Sequence, residues 1–407
     1  MKLSAQRGVT LIEIMVAGGL LAFVLMASMG LLVGVNQATE RVRRVGDTQE
    51  AARLALESLA ADIRGAGMGA QLGSVGIAPA VGSVRRVPVV YSGPDLVVNE
   101  NMDGGVPTSI VTNSIFIISG QPTTGVLSAD GNGMVGTVTD AGVGSTLTVA
   151  CSNGVGANVD CQDPSFVTPG GDDFRVLVPQ AGGTFKPLIV GDFRNSVFLR
   201  PTSLTSPSGT PPTQTMDFTE RTANAFSPDP RAPFGFAPGA ALQLARVVHY
   251  YLWPSADGTR YELKRSNPIL ANNAGNGACD ATDTPFIDET NSSTGPAGSV
   301  IGSGPVESLQ IRFVTDSNAT DDPTQFVLGP VGVCNTAVMP YLREIRLQVV
   351  ARSVVSDRNT GGGDKVANYS TPGFEGTTTS VPAARDAFPR RTFTINVVPR
   401  NLQGVRL

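Results

Sequence analysis

The sequence predicts an α+β protein in which one long N-terminal helix precedes a large, mainly antiparallel β-rich globular region. Two observations support this prediction. An uncharged run from Ile14 to Val35 passes into a polar segment that keeps helical periodicity to about Arg64. The rest of the 407-residue chain has short apolar segments separated by turns, in keeping with its 47 Gly, 29 Pro and only 6% aromatic residues.

Changes in composition divide the chain into six segments. The run Gly65, Gly67 and Gly69 marks the end of the helix. A proline-rich stretch with little periodicity separates two β-rich regions. The predicted segments are a leader 1–8, the membrane and assembly half of the helix 9–36, its amphipathic half 37–66, a first β-rich region 67–200, a Pro-rich linker or long loop 201–239, and a second β-rich region 240–407.

A short leader carrying Lys2 and Arg7 precedes the apolar run. As a helix, Ile14 to Val35 would be about 33 Å long, enough to cross a hydrocarbon core of about 30 Å. The leader cations favour a cytoplasmic N-terminus, which predicts one pass through the inner membrane with the C-terminal region in the periplasm. A secretory signal or a plain anchor is disfavoured because Glu13 adjoins the apolar run, where a carboxylate is costly and indicates a functional pairing.

The segment RGVTLIEIMVA resembles the class III signal of type IV pilins and type II secretion pseudopilins. The resemblance implies that a prepilin peptidase cuts after Gly8, so that Val9 becomes the first mature residue. The family usually has an N-methylated Phe at that position, so this departure bears on methylation more than on cleavage. Cleavage would create a positive amine about one helical turn before Glu13. In a helical bundle, the amine of a neighbouring subunit could pair with this carboxylate.

The polar half of the helix carries a heptad-like stripe that continues the helical period. Arg53 and Glu57 lie on another face at a supportive i,i+4 spacing. Packing against the following domain is the favoured interpretation, and a coiled coil with another subunit is the alternative. The stripe consists of Ala38, Val42, Val45, Gln49, Ala52, Leu56, Leu59 and Ile63.

Alternating segments predict strands in the second β-rich region. In VESLQIRFVTD, Leu309 and Ile311 alternate with Gln310, which predicts one buried and one solvated face. This segment, with AARLALESLAADIRGAGM, ALQLARVVHYYLW, YLREIRLQVVARS and RRTFTINVVPRNL, resembles the PilW family of minor pilins. The resemblance runs from the leader to Asn401 but does not cover 69–240 or 272–304. It implies a pilin-like fold and a role in a priming or tip complex that starts pilus assembly.

Composition argues against several other classes of function. A net charge of −4 gives no general attraction for phosphate backbones, so no nucleic acid partner is expected. The only histidine, His249, lies in a predicted strand and is interpreted as a hydrogen-bonded packing residue. The sequence has no nucleophile-elbow, Walker A, dinucleotide-binding or zinc-protease motif. We expect no enzymatic activity, cofactor, metal or small-molecule substrate.

Two acidic loops, from Asp280 to Glu289 and from Asp316 to Asp322, lack EF-hand spacing. They are interpreted as solvated loops, with calcium ligation as the alternative.

The four cysteines contain no C-x-x-C arrangement, which favours two extracytoplasmic disulfides over a zinc site. Sequence proximity favours Cys151 with Cys161 and Cys279 with Cys334 among three possible connectivities, and free thiols are the alternative. Peptide mapping without reduction tests this pairing, and a link between Cys151 and Cys279 would contradict it.

Together these features predict a structural and assembly protein. Its expected partners are the prepilin peptidase, the inner membrane before assembly, and other major and minor pilins contacted through the N-terminal helix. Its expected final location is the pilus at the cell surface. One alternative is a type II secretion pseudopilin of the larger, J-like kind, which shares the processing and the helix. Another is a tip adhesin or binding module whose β-rich region recognises a ligand.

Overall fold

A long helix and a strand-rich region make up the described part of the chain, in agreement with the predicted α+β class. The structure is a computed structural model. It describes residues 9–70, 73–77, 85–93, 96–100, 108–127, 136–137, 145–150, 187–191, 196–204, 213–218, 241–255, 261–270, 285–288, 290–291, 295–296, 299–301, 306–316, 326–329, 341–352 and 390–402.

Helix α1 comprises Leu11–Gly65, which at 55 residues is about 82 Å long. Its start is defined by a capping box, in which the side chains of Thr10 and Glu13 each accept a hydrogen bond from the other residue's backbone N–H. Its end is marked by Ala66, whose N–H donates to the Ile63 carbonyl. The prediction of a helix from Val9 to about Arg64 is confirmed to within one or two residues at each end.

Strands follow α1 throughout the described residues. The first twelve are β1 (Ser74–Ile77), β2 (Arg85–Pro88), β3 (Val90–Ser92), β4 (Leu96–Glu100), β5 (Thr108–Thr112), β6 (Ile115–Leu127), β7 (Gly136–Thr137), β8 (Ser145–Ala150), β9 (Leu188–Gly191), β10 (Ser196–Leu199), β11 (Pro201–Leu204) and β12 (Thr213–Phe218).

The later strands include the longest described one, which has 14 residues. They are β13 (Ala241–Pro254), β14 (Tyr261–Ser266), β15 (Ile269–Leu270), β16 (Phe286–Ile287), β17 (Thr290–Asn291), β18 (Gly295–Pro296), β19 (Ser299–Val300), β20 (Val306–Asp316), β21 (Phe326–Gly329), β22 (Leu342–Arg352) and β23 (Arg390–Val397), followed by a 3-10 turn at Arg400–Leu402.

The larger sheet contains 13 of the described strands, with neighbours in the order β11-β12-β8-β6-β13-β9-β10-β1-β2. Strand β13 pairs antiparallel with three strands, β6, β9 and β14. These pairings place strands from segments 67–200 and 240–407 in one sheet. The segment from 201 to 239, predicted as a linker or long loop, contributes the paired strands β11 and β12.

The smaller sheet has the antiparallel order β21-β20-β22-β23 within the described residues. Leu309 and Ile311 of β20 are buried, as predicted. The prediction of a solvated opposite face is wrong at Gln310, which is only 8% exposed. Val314 and Val350 on that face are also buried, so this part of the sheet is covered on both sides. The polar side chain of Gln310 therefore did not indicate an exposed position.

Thr112 and Asn113, at the end of β5, bind the backbone of β20. The Thr112 hydroxyl donates to the Leu309 carbonyl and accepts from the Leu309 N–H, both at 3.0 Å. The Asn113 side-chain carbonyl accepts from the Ile311 N–H at 3.0 Å. These side chains satisfy backbone groups of β20 beyond its pairing with β21, which involves Phe313 to Asp316.

The last turns of α1 pack on β22, β23, β6 and the 3-10 turn. Leu56, Leu59 and Ile63 are buried there, whereas Val42 in the lower part of the same stripe is 73% exposed. Burial of each such leucine or isoleucine stabilises the fold by about 1.5–3 kcal/mol. The favoured interpretation of the stripe, packing on the chain's own domain, therefore holds for its upper part.

A glycine turn joins α1 to the larger sheet. Gly67 and Gly69 have φ values of +76° and +77°, a left-handed backbone conformation that other residues adopt only with strain. The Gly67 N–H donates to the Ile118 carbonyl at 2.9 Å, and the Gly120 N–H donates to the Met68 carbonyl at 2.8 Å. The turn is thus hydrogen-bonded to β6 on both sides.

Candidate functional site: the N-terminal helix

The helix has two halves with different surroundings. The exposed half is Leu11–Glu50, in which every described side chain is exposed; the docked half is Ala51–Gly65, which packs on the strand-rich region, called the head below. Within Leu11–Glu40, an 18-residue stretch has a mean hydropathy of 2.3, and none of that stretch is buried. Among the described helices, this one is long and apolar enough to cross a membrane.

The predicted processing residues lie at the start of the exposed half. Val9 is 69% exposed and directly precedes the capping residue Thr10. Gly8, Lys2 and Arg7 lie outside the described residues. A chain cut after Gly8 would therefore keep the whole helix and its cap, with Val9 as the one residue before the cap.

Glu13 lies in the first turn, and its carboxylate is bound to its own helix. The backbone N–H and the hydroxyl of Thr10 donate to Glu13 Oε2 at 2.9 and 3.0 Å. Oε1 takes no part in this cap. A negative charge at this end also interacts favourably with the helix dipole. Membrane anchoring alone does not explain a carboxylate at Glu13, but the cap gives this carboxylate a local structural role.

The docked half carries a polar group that sequence reasoning missed, called the Asp62 cluster. Asp62 Oδ2 accepts from the Tyr250 hydroxyl at 2.7 Å and from Arg265 Nε at 3.0 Å, and Asp62 Oδ1 lies 3.3 Å from a terminal guanidinium nitrogen of Arg246. The Ser58 hydroxyl lies 3.0 Å from the Tyr250 hydroxyl. One helix carboxylate thus binds side chains of β13 and β14.

The Asp62 cluster is enclosed. The Asp62 side chain is 14% exposed and that of Arg265 is 18% exposed. Burial raises the pKa of Tyr250 well above its usual range, and its hydrogen bond to Asp62 adds to this shift. In the sequence near Asp62, the one indication of this cluster was a carboxylate next to the predicted apolar stripe. Its partners could not be identified from sequence because they lie about 190 to 200 residues away.

His249 belongs to a second polar group, on the other face of β13. Its Nδ1 lies 2.8 Å from Asp288 Oδ2, and the Ser266 hydroxyl donates to Asp288 Oδ1. The imidazole stacks on Phe116 with ring centres 3.9 Å apart. Its Nε2 is buried and meets no hydrogen-bond partner in the described part of the chain.

This arrangement is not that of a Ser-His-Asp triad, because Ser266 binds the carboxylate and not His249 Nε2. It agrees with the interpretation of His249 as a hydrogen-bonded packing residue. Burial, with a smaller effect of the Asp288 charge, raises the pKa of the adjacent Tyr251 to about 12.

The two acidic loops each have one described carboxylate that is paired within the chain. Asp288 binds His249, and buried Asp316 lies 2.8 Å from a terminal nitrogen of Arg343. No cluster of three or more metal-ligating side chains occurs among the described residues. The predicted disulfide residues Cys151, Cys161, Cys279 and Cys334 lie outside that part of the chain.

Comparison with known proteins found no match: no family description, no curated protein and no solved structure is significantly similar to this chain.

Proposed function

We propose that this protein is a membrane-anchored subunit of a type IV pilus, a PilW-like minor pilin that is cut after Gly8 and assembled through α1. It acts in a priming or tip complex, with prepilin peptidase and other pilins as its partners. The chain crosses the inner membrane once, with the head in the periplasm, before it enters the fibre.

One observation carries the proposal: an apolar helical segment whose described side chains are exposed has a carboxylate in its first turn, five residues after the predicted cleavage site at Gly8. A lipid bilayer can cover such a helix, and so can a bundle of similar helices. The capping bonds end on Glu13 Oε2, which leaves Oε1 to accept from the N-terminal amine of a neighbouring subunit.

Four full-length proteins test the proposal in a piliated host: the wild type, Gly8→Glu, Glu13→Val and Glu13→Gln. We expect Gly8→Glu to stay uncut in the membrane, because the peptidase must approach that peptide bond closely. Glu13→Val should be cut normally but lost from sheared fibres, since removal of one partner of a buried ion pair costs about 3–5 kcal/mol. Mass spectrometry of the N-terminus and fractionation into membrane and fibre give the readouts.

Glu13→Gln distinguishes the capping role of Glu13 from the role of its charge, because glutamine can also complete a capping box but is neutral. If the pairing with an amine matters, Glu13→Gln should be lost from fibres as Glu13→Val is. Normal incorporation of both Glu13 variants would refute the pairing. A native N-terminus within Ala27 to Gly34, or cleavage of Gly8→Glu at Val9, would refute the class III processing itself.

A further inference from the structure

Two kinds of contact hold the docked half of α1 on the head. The apolar kind comes from its buried stripe, in which Ala52, Ala55 and Ala60 alternate with larger side chains. Hydrophobic attraction is non-directional, so by itself it favours burial more than one exact position. The Asp62 cluster is directional, because hydrogen bonds weaken steeply with distance and angle. It therefore adds a directional restraint on the axial position and the rotation of the helix.

The Asp62 cluster connects the helix to two paired strands of the larger sheet. Tyr250 and Arg246 lie on β13, and Arg265 lies on β14 directly opposite Tyr250. The Arg265 guanidinium also lies over the Tyr250 ring, 5.9 Å from its centre. Because β13 is hydrogen-bonded to β6, β9 and β14, a force on Asp62 is distributed over several strands.

A pull along the exposed half can reach the head only through the docked half and the turn after it, since the described side chains before Ala51 are exposed. We propose that the Asp62 cluster is a load-bearing clamp that prevents the head from sliding along α1 when the anchor is pulled. This inference rests on the proposed function, because a fibre subunit is loaded through its helix.

Single-molecule pulling on the full-length protein in detergent tests the clamp. Handles at the N-terminus and at exposed Val300 load α1 against β14, because β19, which contains Val300, pairs with β14 and β14 carries Arg265 of the Asp62 cluster. Asp62→Asn keeps the volume and one acceptor but removes the charge. Loss of charge-assisted hydrogen bonds should make the helix leave the head about tenfold faster at constant force.

Glu57→Gln is the matched control, because it also replaces a carboxylate of the same helix by an amide. The Glu57 side chain is 55% exposed, and its carboxylate lies 2.7 Å from Arg53. We expect the helix of this variant to leave the head at the wild-type rate, because exposed ion pairs contribute little. Release of Asp62→Asn at the wild-type rate would overturn the clamp.

A second pulling geometry separates a clamp from general destabilisation. Handles at exposed Tyr341 and at the C-terminus load β22 against β23 without pulling the exposed half or β14. A clamp predicts that Asp62→Asn weakens only the first geometry, and equal weakening in both would overturn it. Neither geometry requires a fibre, so the clamp can fail while the Glu13 variants still support assembly, and the reverse also holds.

Discussion

The exposed and docked halves of α1 belong to one continuous helix, yet their side chains have opposite surroundings. In the docked half, Leu59 packs on the head and Asp62 binds side chains from distant strands. In the exposed half, Leu32 is 60% exposed and Glu13 is bound only by the preceding turn. The contrast shows that helical periodicity indicates which face is apolar but not what covers it.

The largest expected effect comes from removing a core side chain of the docked half. Leu59→Ala should lower the free energy of unfolding of the head by about 2–5 kcal/mol, because Leu59 is fully buried. Leu32→Ala, the same change in the exposed half, should leave head unfolding within about 0.5 kcal/mol of wild type. Denaturant titrations of the full-length protein, followed by fluorescence of its only tryptophan, Trp253, provide the measurement.

Equal effects of Leu59→Ala and Leu32→Ala would show that the exposed half also supports the head, and the division of α1 into two halves would be wrong.

Alkaline pH should destabilise the head while sparing the exposed half. The raised pKa of Tyr251, about 12, means that above about pH 10 the unfolded chain loses a proton that the folded chain retains. Stability is therefore complete below pH 10 and declines as pH rises toward 12, by roughly 1.4 kcal/mol per pH unit for each such tyrosine. Tyr250, with a pKa raised further, contributes in the same direction.

The exposed half contains no tyrosine, so its helical circular dichroism in detergent should persist over this range. Denaturation midpoints at pH 9, 10, 11 and 12 test the decline. Tyr251→Phe should show a shallower slope, and an unchanged slope would contradict the assignment.

A smaller effect is expected from removing the hydroxyl that links the helix to β13. Tyr250→Phe should lower the free energy of unfolding by about 1–2 kcal/mol, because Asp62 loses a buried donor and Ser58 loses a partner. Tyr341→Phe is the control, since Tyr341 is 39% exposed and lies outside the Asp62 cluster. Similar losses for both variants in thermal unfolding would mean that the hydroxyl at position 250 has no special role.

The smallest effect concerns the cap of the exposed half. Thr10→Val removes a capping side chain and should cost the first turn about 1 kcal/mol, or roughly a fivefold rise in amide hydrogen exchange. Thr39→Val is the matched control, because the Thr39 hydroxyl donates to the Val35 carbonyl within the helix, at 2.9 Å, and caps nothing. Faster exchange after Thr39→Val but not after Thr10→Val would reverse the expected order.

The parts of the fold that follow from local pattern could be predicted. The helix ends near Arg64 because glycines follow it, and β20 coincides with the predicted VESLQIRFVTD segment. The buried residues Leu309 and Ile311 follow from alternation. The burial of Gln310 could not be predicted, because it depends on what covers the second face of the sheet.

The candidate site also contains a residue that the local sequence indicates and a cluster that it does not. Glu13 stands out in the sequence because a carboxylate is rare beside an apolar run. The capping role was readable from the T-x-x-E spacing of Thr10 and Glu13 but was obscured by the apolar context. The Asp62 cluster could not be predicted, since its members meet only after β13 and β14 have paired.

The contact between Asn401 and the end of α1 can form only after the ribosome has made almost the whole chain. The Asn401 side-chain amide donates to the carbonyls of Gly65 and Ala66, and 336 residues separate it from Gly65. At about 5–20 residues per second, the ribosome needs roughly 15 to 70 s to make the intervening chain. The helix therefore emerges and can enter the membrane long before its last carbonyls can be capped. During that interval the unfinished strands present unpaired edges, so we expect chaperones that bind nascent chains to matter most for this protein while it is still being translated.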